Sequence, residues 1–427
     1  MIQNGRKPVK LLIAVCTVLA VAVAGFGSAA DVRSGMKWPG STIKIAVSES
    51  FLAENRAIKN GSDTQSTILR SIATWEKAAN VKFEVVDSEA ESVSPQGPAG
   101  DGISLITIAG TAENVLMFQG DAVHSPATTR IFRDRDGTIT EADIVLNPTQ
   151  QFSTDGTFGT YDLESVVTHE IGHMLGLEHS TMPSSTMFYG IPKNGLFGDA
   201  STFMRSLSVA DISAVRSMYG IADEKSIDCC GSLSGRLIAA TAKASAGKTV
   251  LIEDQRSGRV VSKVLTDASG RFRAEGLEPG RFNVRFLESD GREMPGQAEP
   301  SAVDIEFGND TKLTARRSSV KPQDLTVAVG LNGQLTDAAV SLSPQTTRRV
   351  YLGFPVKPGA EPTFNIASPF LSVDRNSVAI HSDYDGMWVV SFDVTSHPDT
   401  PAGEYSISVN LASGQTIYLP GVISLDR

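Results

Sequence analysis

The sequence predicts a multidomain protein, an α+β domain followed by two all-β sandwiches. Three observations carry this reading. Up to about residue 222, helical and strand periodicities are interspersed. From about residue 232, helical spacing gives way to short strands separated by glycine turns. The chain has 427 residues, 41% hydrophobic and 20% charged, enough for two to four cores. The expected divisions are a leader at 1–30, the α+β domain at 31–222, and sandwiches at 232–308 and 309–427.

The leader comes first. Arg6, Lys7 and Lys10 precede an apolar run from Leu11 to Ala24, and small residues at Ser28 and Ala30 fit cleavage after Ala30. That is the layout of a secretory signal peptide, and the run is short for a membrane span. The mature chain is expected to be secreted and extracellular, without a membrane span. An uncleaved leader would leave it periplasmic or anchored. The net charge of −10 favours neither nucleic acid nor an anionic membrane as partner. Of three cysteines, Cys16 falls in the leader and Cys229 and Cys230 are adjacent. A bridge between neighbours would be strained, so a vicinal disulfide and two thiols both stand, and no function hangs on either.

Within the α+β region, "TIKIAVS" (Thr42 to Ser48) alternates as a strand. Ile68, Ile72, Trp75 and Ala79 recur at helical spacing, with Asn80 as the expected C-cap. "VKFEVV", "DGISLITIAG" and "ADIVLN" read as further strands, and "DRDGTI" (Asp134 to Ile139) as a hairpin turn. Calcium at these aspartates is unsupported, because an EF-hand loop in that register needs an acid where Phe132 stands. A last helix is expected from Val209 to Met218, with Ser208 as N-cap, Asp211 three residues on, and Gly220 closing it. In the β region, Tyr405, Ile407, Val409 and Leu411 would share one face.

The chemistry lies in "VVTHEIGHMLGLEH", Val166 to His179, which holds three of the six histidines. On a helix over 166–175, Leu163, Val166, Val167, Ile171 and Met174 supply an apolar face. His169 and His173 then lie one turn apart on one side, where two imidazoles can converge on a metal. Glu170 leaves the same turn beside them, where a general base must stand. Gly176 can end the helix in a left-handed conformation, returning the chain so that His179 adds a third ligand. HExxH alone is short enough to arise by accident. With 38 glycines and six histidines in the chain, Gly176 and His179 at their spacings arise by chance about once in 800. Three histidines with an open fourth position suit zinc.

His169-Glu170-x-x-His173-x-x-Gly176-x-x-His179 resembles the zinc signature of the metzincin metallopeptidases, and "HEIGHMLGLEHS" is most similar to the matrixin branch. The resemblance covers about 190 residues and implies an α+β zincin (metzincin) catalytic domain with one catalytic Zn2+. It implies that His169, His173 and His179 are the metal ligands and that Glu170 is the general base toward a zinc-activated water. "SSTMFYG" supplies the Met-turn with Met187; Met182 is a rival, but it precedes Pro183 and lacks the following tyrosine. Tyr189 stands two residues after Met187, as in the astacin and serralysin branches, which implies a catalytic role at the zinc or the oxyanion; otherwise it packs near the specificity pocket. Only His124 lies upstream of the motif, so no second zinc is expected. "GDAVH" (Gly120 to His124) is the expected edge strand for an extended substrate. The stretch 257–286 resembles carboxypeptidase-regulatory-like sandwiches, and "HPDTPAGEYSISV" resembles bacterial Ig-like domains.

The expected function is thus an exported zinc-dependent endopeptidase acting on a protein or peptide substrate. Its sandwiches would serve as spacers or as contacts to a surface or polymer. The alternatives are a secreted adhesin whose metzincin-like domain is a scaffold, and a zinc hydrolase of non-protein amides.

Overall fold

The computed structural model describes residues 36–425 except 52–54, 121–124, 181, 196–200, 223–229, 240–242, 289–300, 317–327, 332–333, 337–338, 355–361, 382–386 and 413–415. The leader, His124 and Cys229 lie outside the described residues. No helix among the described residues is long and apolar enough to cross a membrane.

The first domain is built on strands β1 (Thr42–Ser48), β2 (Lys82–Ser88), β3 (Leu105–Thr107), β4 (Ala127–Arg133) and β5 (Ile139–Leu146). Their order is β2-β1-β3-β5-β4, parallel except for the antiparallel β4–β5 pair at one edge. β1 occupies the seven residues expected, because its alternation places Ile43, Ile45 and Val47 in the core. The β4–β5 turn falls at the expected "DRDGTI", where Asp134 accepts from the N–H groups of Asp136 and Thr138 and Gly137 takes φ 92°.

Helices α1 (Thr64–Ala78) and α2 (Ala112–Leu116) precede the two-residue strands β6 (Phe152–Ser153) and β7 (Tyr161–Asp162), and α3 (Leu163–Met174) and α4 (Val209–Tyr219) follow. α1 ends with Ala79 as cap, one residue before the expected Asn80. α3 starts earlier than the periodicity suggests because Asp162 caps it, accepting from the Ser165 N–H. Arg205 pairs with the same carboxylate at 2.6 Å. At the other end, the Trp38 indole donates to the Met174 carbonyl at 2.9 Å and the Tyr219 hydroxyl to that of Leu175 at 2.7 Å. Two carbonyls that a helix end leaves without partners are satisfied in this way. Gly176 then takes φ 93°, the left-handed residue expected of it. α4 has the anticipated capping box of Ser208 and Asp211.

The core between sheet and helices gathers Ile45, Ile72, Trp75, Ile106, Ile144 and the apolar face of α3. Trp75, fully buried, donates its indole N–H to the Thr168 carbonyl and so locks α1 against α3.

The first sandwich comprises β8 (Gly231–Ile238), β9 (Thr249–Asp254), β10 (Val260–Leu265), β11 (Arg271–Leu277), β12 (Gly280–Leu287), β13 (Ser301–Ile305) and β14 (Asp310–Arg316). Its sheets are β10-β9-β12-β13 and β11-β8-β14. The expected boundary at 308 is corrected here, since β14 lies beyond it and pairs in parallel with β8 along seven residues. The second sandwich holds β15 (Ala328–Leu331), β16 (Gln334–Thr336), β17 (Val340–Leu342), β18 (Thr347–Phe354), β19 (Thr363–Ile366), β20 (Leu371–Ile380), β21 (Trp388–Ser396), β22 (Gly403–Asn410) and β23 (Thr416–Leu425). Its sheets are β16-β15-β18-β21-β20 and β17-β23-β22-β19. Tyr405, Ile407 and Val409 share its core face, and Leu411 packs at the margin. Cys230, at the entrance to the first sandwich, is disulfide-bonded.

Candidate functional site

α3 brings His169 and His173 to one side of the helix, and the glycine turn after it returns His179. The Nε2 atoms of His169 and His173 are 3.1 Å apart, and those of His173 and His179 are 3.2 Å apart. The other nitrogens explain the aim of the rings. His169 Nδ1 is 2.7 Å from the Thr186 carbonyl oxygen, and His173 Nδ1 is 2.8 Å from that of Leu177. A carbonyl can only accept, so both protons sit on Nδ1 and both Nε2 lone pairs face inward. Two lone pairs at that distance repel unless a cation lies between them. Four ligands around zinc, with bonds of about 2.0–2.1 Å, stand about 3.3 Å from one another. The three imidazoles therefore fit zinc in donor type, tautomer and spacing.

Charge agrees with geometry. Burial, reinforced by the two neighbouring imidazoles, holds the His169 pKa well below 6.5. Burial and His179 bring His173 down to about 4, and burial lowers His179. At neutral pH the rings are uncharged, the form a metal requires.

Glu170 is 3% exposed, and burial raises its pKa to about 7. The Thr129 hydroxyl of β4 donates to Glu170 Oε2 at 2.6 Å and acts in the opposite direction. Glu170 and the three histidines line one cleft of about 1110 Å³ with Thr129, Tyr161 and Tyr189.

Met187 is buried directly beneath. A Cβ on Gly172, within the histidine motif, would collide with the Met187 sulfur and meet Trp75 Cζ2 at 2.8 Å. Only a glycine lets helix, methionine and indole approach this closely. The Ser180 N–H donates to the Met187 carbonyl at 2.7 Å, tying the third histidine's loop to the turn. Met182, the rival, is fully buried elsewhere, against Gly421. Tyr189 lines the cleft with 57% of its surface exposed, its ring 4.5 Å from that of Phe188.

The edge strand beside the cleft is β4, at 127–133. The expected stretch was 120–124, of which 121–124 lie outside the described residues. The segment "ATTRIF" alternates poorly because it borders the cleft, so that residues from Thr128 to Ile131 are only partly covered by the core.

Two site residues went unread in the sequence. Thr129 carries no motif. Asp211 was visible only as a helix cap, yet its buried carboxylate also accepts from the Ser185 hydroxyl at 2.5 Å and from the Thr186 and Met187 N–H groups at 2.8 and 3.2 Å. It thereby fastens the start of α4 to the turn that carries Met187. A capping aspartate on the helix after an "SSTM" turn was the available signal.

Comparison with known proteins agrees. Residues 38–220 match the Matrixin family. Metalloendoproteinase 1-MMP of Arabidopsis thaliana is 26% identical over 188 residues, 43% of this chain and 44% of that protein. Matrilysin of Rattus norvegicus is 39% identical over 70 residues, 16% of this chain and 24% of that one. The chain spans less than half the length of these curated relatives. Among solved structures, the major pilin subunit BcpA of Bacillus cereus aligns over 46% of this chain and 69% of its own at 15% identity. Its TM-score of 0.19 is too low to argue from. The protein thus has a matrixin-like catalytic domain over residues 38–220, followed by β-sandwich domains.

Proposed function

We propose that this protein is an exported zinc-dependent endopeptidase, with His169, His173 and His179 holding the ion and Glu170 as general base. The observation that carries the reading is the convergence of three imidazole Nε2 atoms beside a buried carboxyl in one open cleft.

Bound zinc would supply Lewis acidity toward a peptide carbonyl and lower the pKa of a water. Glu170 takes the proton from the attacking water and returns it to the departing amine. A carboxyl raised to about 7 is suited to both transfers near neutral pH. Thr129 holds that carboxyl in place. β4 ends its sheet and lines the cleft, so its main chain is available to pair with an extended peptide. Tyr189, exposed on the cleft wall, would donate toward the carbonyl oxygen as charge develops. Export rests on Arg6, Lys7, Lys10 and the apolar run that follows.

The test compares zinc-loaded wild type, chelator-treated wild type and Glu170→Gln on casein and gelatin. Chelation abolishes hydrolysis and zinc restores it. Glu170→Gln binds zinc as wild type does while turnover falls by about 10²–10⁴. Equal rates for the two zinc-loaded proteins would remove Glu170 from its role. Zinc uptake without hydrolysis of any protein would favour the scaffold reading.

A further inference from the structure

The loop from His179 to Met187 closes the metal site from below, and both sandwiches reach it. From the first comes Lys263 on β10, 3% exposed, whose Nζ donates to the Ser180 hydroxyl at 3.2 Å. Ser180 follows the third histidine directly, and its N–H is bonded to the Met187 carbonyl. From the second sandwich comes Gly421 on β23. With φ 59°, it lies so close to the loop that a Cβ would meet Met182 Cγ at 2.5 Å and the Ser184 hydroxyl at 3.1 Å. Met182 and Ser180 are both buried.

The two sandwiches do not reach the loop as loosely tethered bodies. α4 packs along β10, and the Ser213 hydroxyl donates to that of Ser262 at 2.9 Å. Val209 of α4 packs on a cluster of Leu251, Val260, Leu287 and Tyr418, where all three domains meet. Tyr418 of the second sandwich donates its hydroxyl to Glu253 of the first, and Arg285 lies 4.3 Å over its ring while pairing with Glu253 at 3.1 Å. A buried lysine and a side-chain-free close approach thus converge, from two domains, on one nine-residue stretch.

We propose that the sandwiches are positioning elements of the metal centre, Lys263 and Gly421 clamping the loop that presents His179 above Met187. This rests on the metal-peptidase reading and deepens it. Spacers or polymer contacts could be removed without consequence for the ion; a clamp could not.

The test uses the full chain and reads Zn2+ affinity by competition with a chromogenic chelator, together with the visible spectrum of the Co2+-substituted protein. Lys263→Met raises the zinc dissociation constant by about 10-fold, the usual scale for a lost partner outside the ligand shell, and alters the Co2+ bands, whereas Lys263→Arg recovers most of the affinity. Ser180→Ala has a similar effect, and the Lys263→Met/Ser180→Ala pair is no worse than either single change. Gly421→Ala is compared with Gly308→Ala, which has a similar φ of 67° but nothing within 4 Å of its Cβ. Both carry the same backbone strain, and only Gly421→Ala pushes Met182, so only it weakens zinc binding. This pair keeps the proposal testable if Lys263→Met fails to fold. Wild-type zinc affinity and Co2+ bands in folded Lys263→Met, or equal affinities for the two alanine variants, would overturn the clamp while leaving the metal reading intact. A wild-type chain that takes up no Zn2+ overturns both.

Discussion

The Thr129 hydroxyl reaches across 41 residues of sequence to donate to Glu170 Oε2 at 2.6 Å. One hydrogen bond thus joins the strand that borders the cleft to the carboxyl assigned as base. Thr129→Val keeps shape and removes the donor. A hydrogen bond to a charged group is worth about 1.5–3 kcal/mol, so kcat on a fluorogenic peptide falls by about 10-fold or more while KM changes little. Thr129→Ser retains most of the rate. A Val variant with wild-type kcat would show that the carboxyl needs no support from β4.

Acidification acts on the metal-free chain through opposed groups. The histidine pKa values lie below 6.5 when folded, His173 at about 4. Their contribution is complete above 6.5 and is lost as pH falls toward 4, because the unfolded chain binds more protons in that window. Glu170, raised from 4.5 to about 7, contributes fully below 4.5 and loses that contribution as pH rises through 7. Asp143, which burial raises from 3.8 to about 7, acts in the same direction as Glu170. Three rings outweigh the two carboxyls, so the chelated protein has a lower urea midpoint at pH 5 than at pH 7. Glu170→Gln removes one opposing carboxyl and makes the acid loss larger. A flat midpoint between pH 7 and pH 5 in both proteins contradicts this.

Gly172→Ala inserts a methyl where Met187 and the Trp75 ring already touch the helix. Overpacking of this kind costs about 1–3 kcal/mol, read as a lower midpoint in urea. Gly172→Ala combined with Met187→Ala falls short of the sum of the two single losses, since the smaller residue gives the methyl room. Strict additivity would mean that the methyl is accommodated elsewhere.

Tyr418→Phe removes the hydroxyl that Glu253 accepts, leaving a fully buried contact between the sandwiches one donor short. The expected loss is about 1–3 kcal/mol, seen as a lower thermal midpoint for the C-terminal domains. An unchanged midpoint would mean that Arg285 alone satisfies Glu253.

Much of the site was legible because it is local. His169, His173, Gly176 and His179 lie within eleven residues, and helix geometry converts that spacing directly into convergence. β1 was legible because its first four residues alternate between exposed and buried, even though both faces are covered from Ile45 on. The parts that stayed hidden are contacts distant in sequence. Thr129 meets Glu170 through sheet topology, and Lys263 meets Ser180 across 83 residues and a domain boundary. Asp211 announced its local duty as a cap and gave no sign of its second. β4 wrote no clear period into the sequence, because it lines the cleft and only Ala127 and Phe132 of its seven residues are buried. β14 was assigned to the wrong side of a boundary because pairing partners, not composition, decide sandwich membership.

Two of the three imidazoles take their aim from main-chain oxygens, those of Thr186 and Leu177. Every amino acid carries such an oxygen, so what those positions hand to the rings is independent of which side chain is installed. A saturation scan should accordingly find dead variants at 169, 173 and 179, with tolerance at 177 bounded by packing and at 186 by packing and the hydroxyl's bond to the Ser206 carbonyl. The centre's orientation is thus stored in the course of the backbone, which leaves the cleft walls free to diversify toward new peptides.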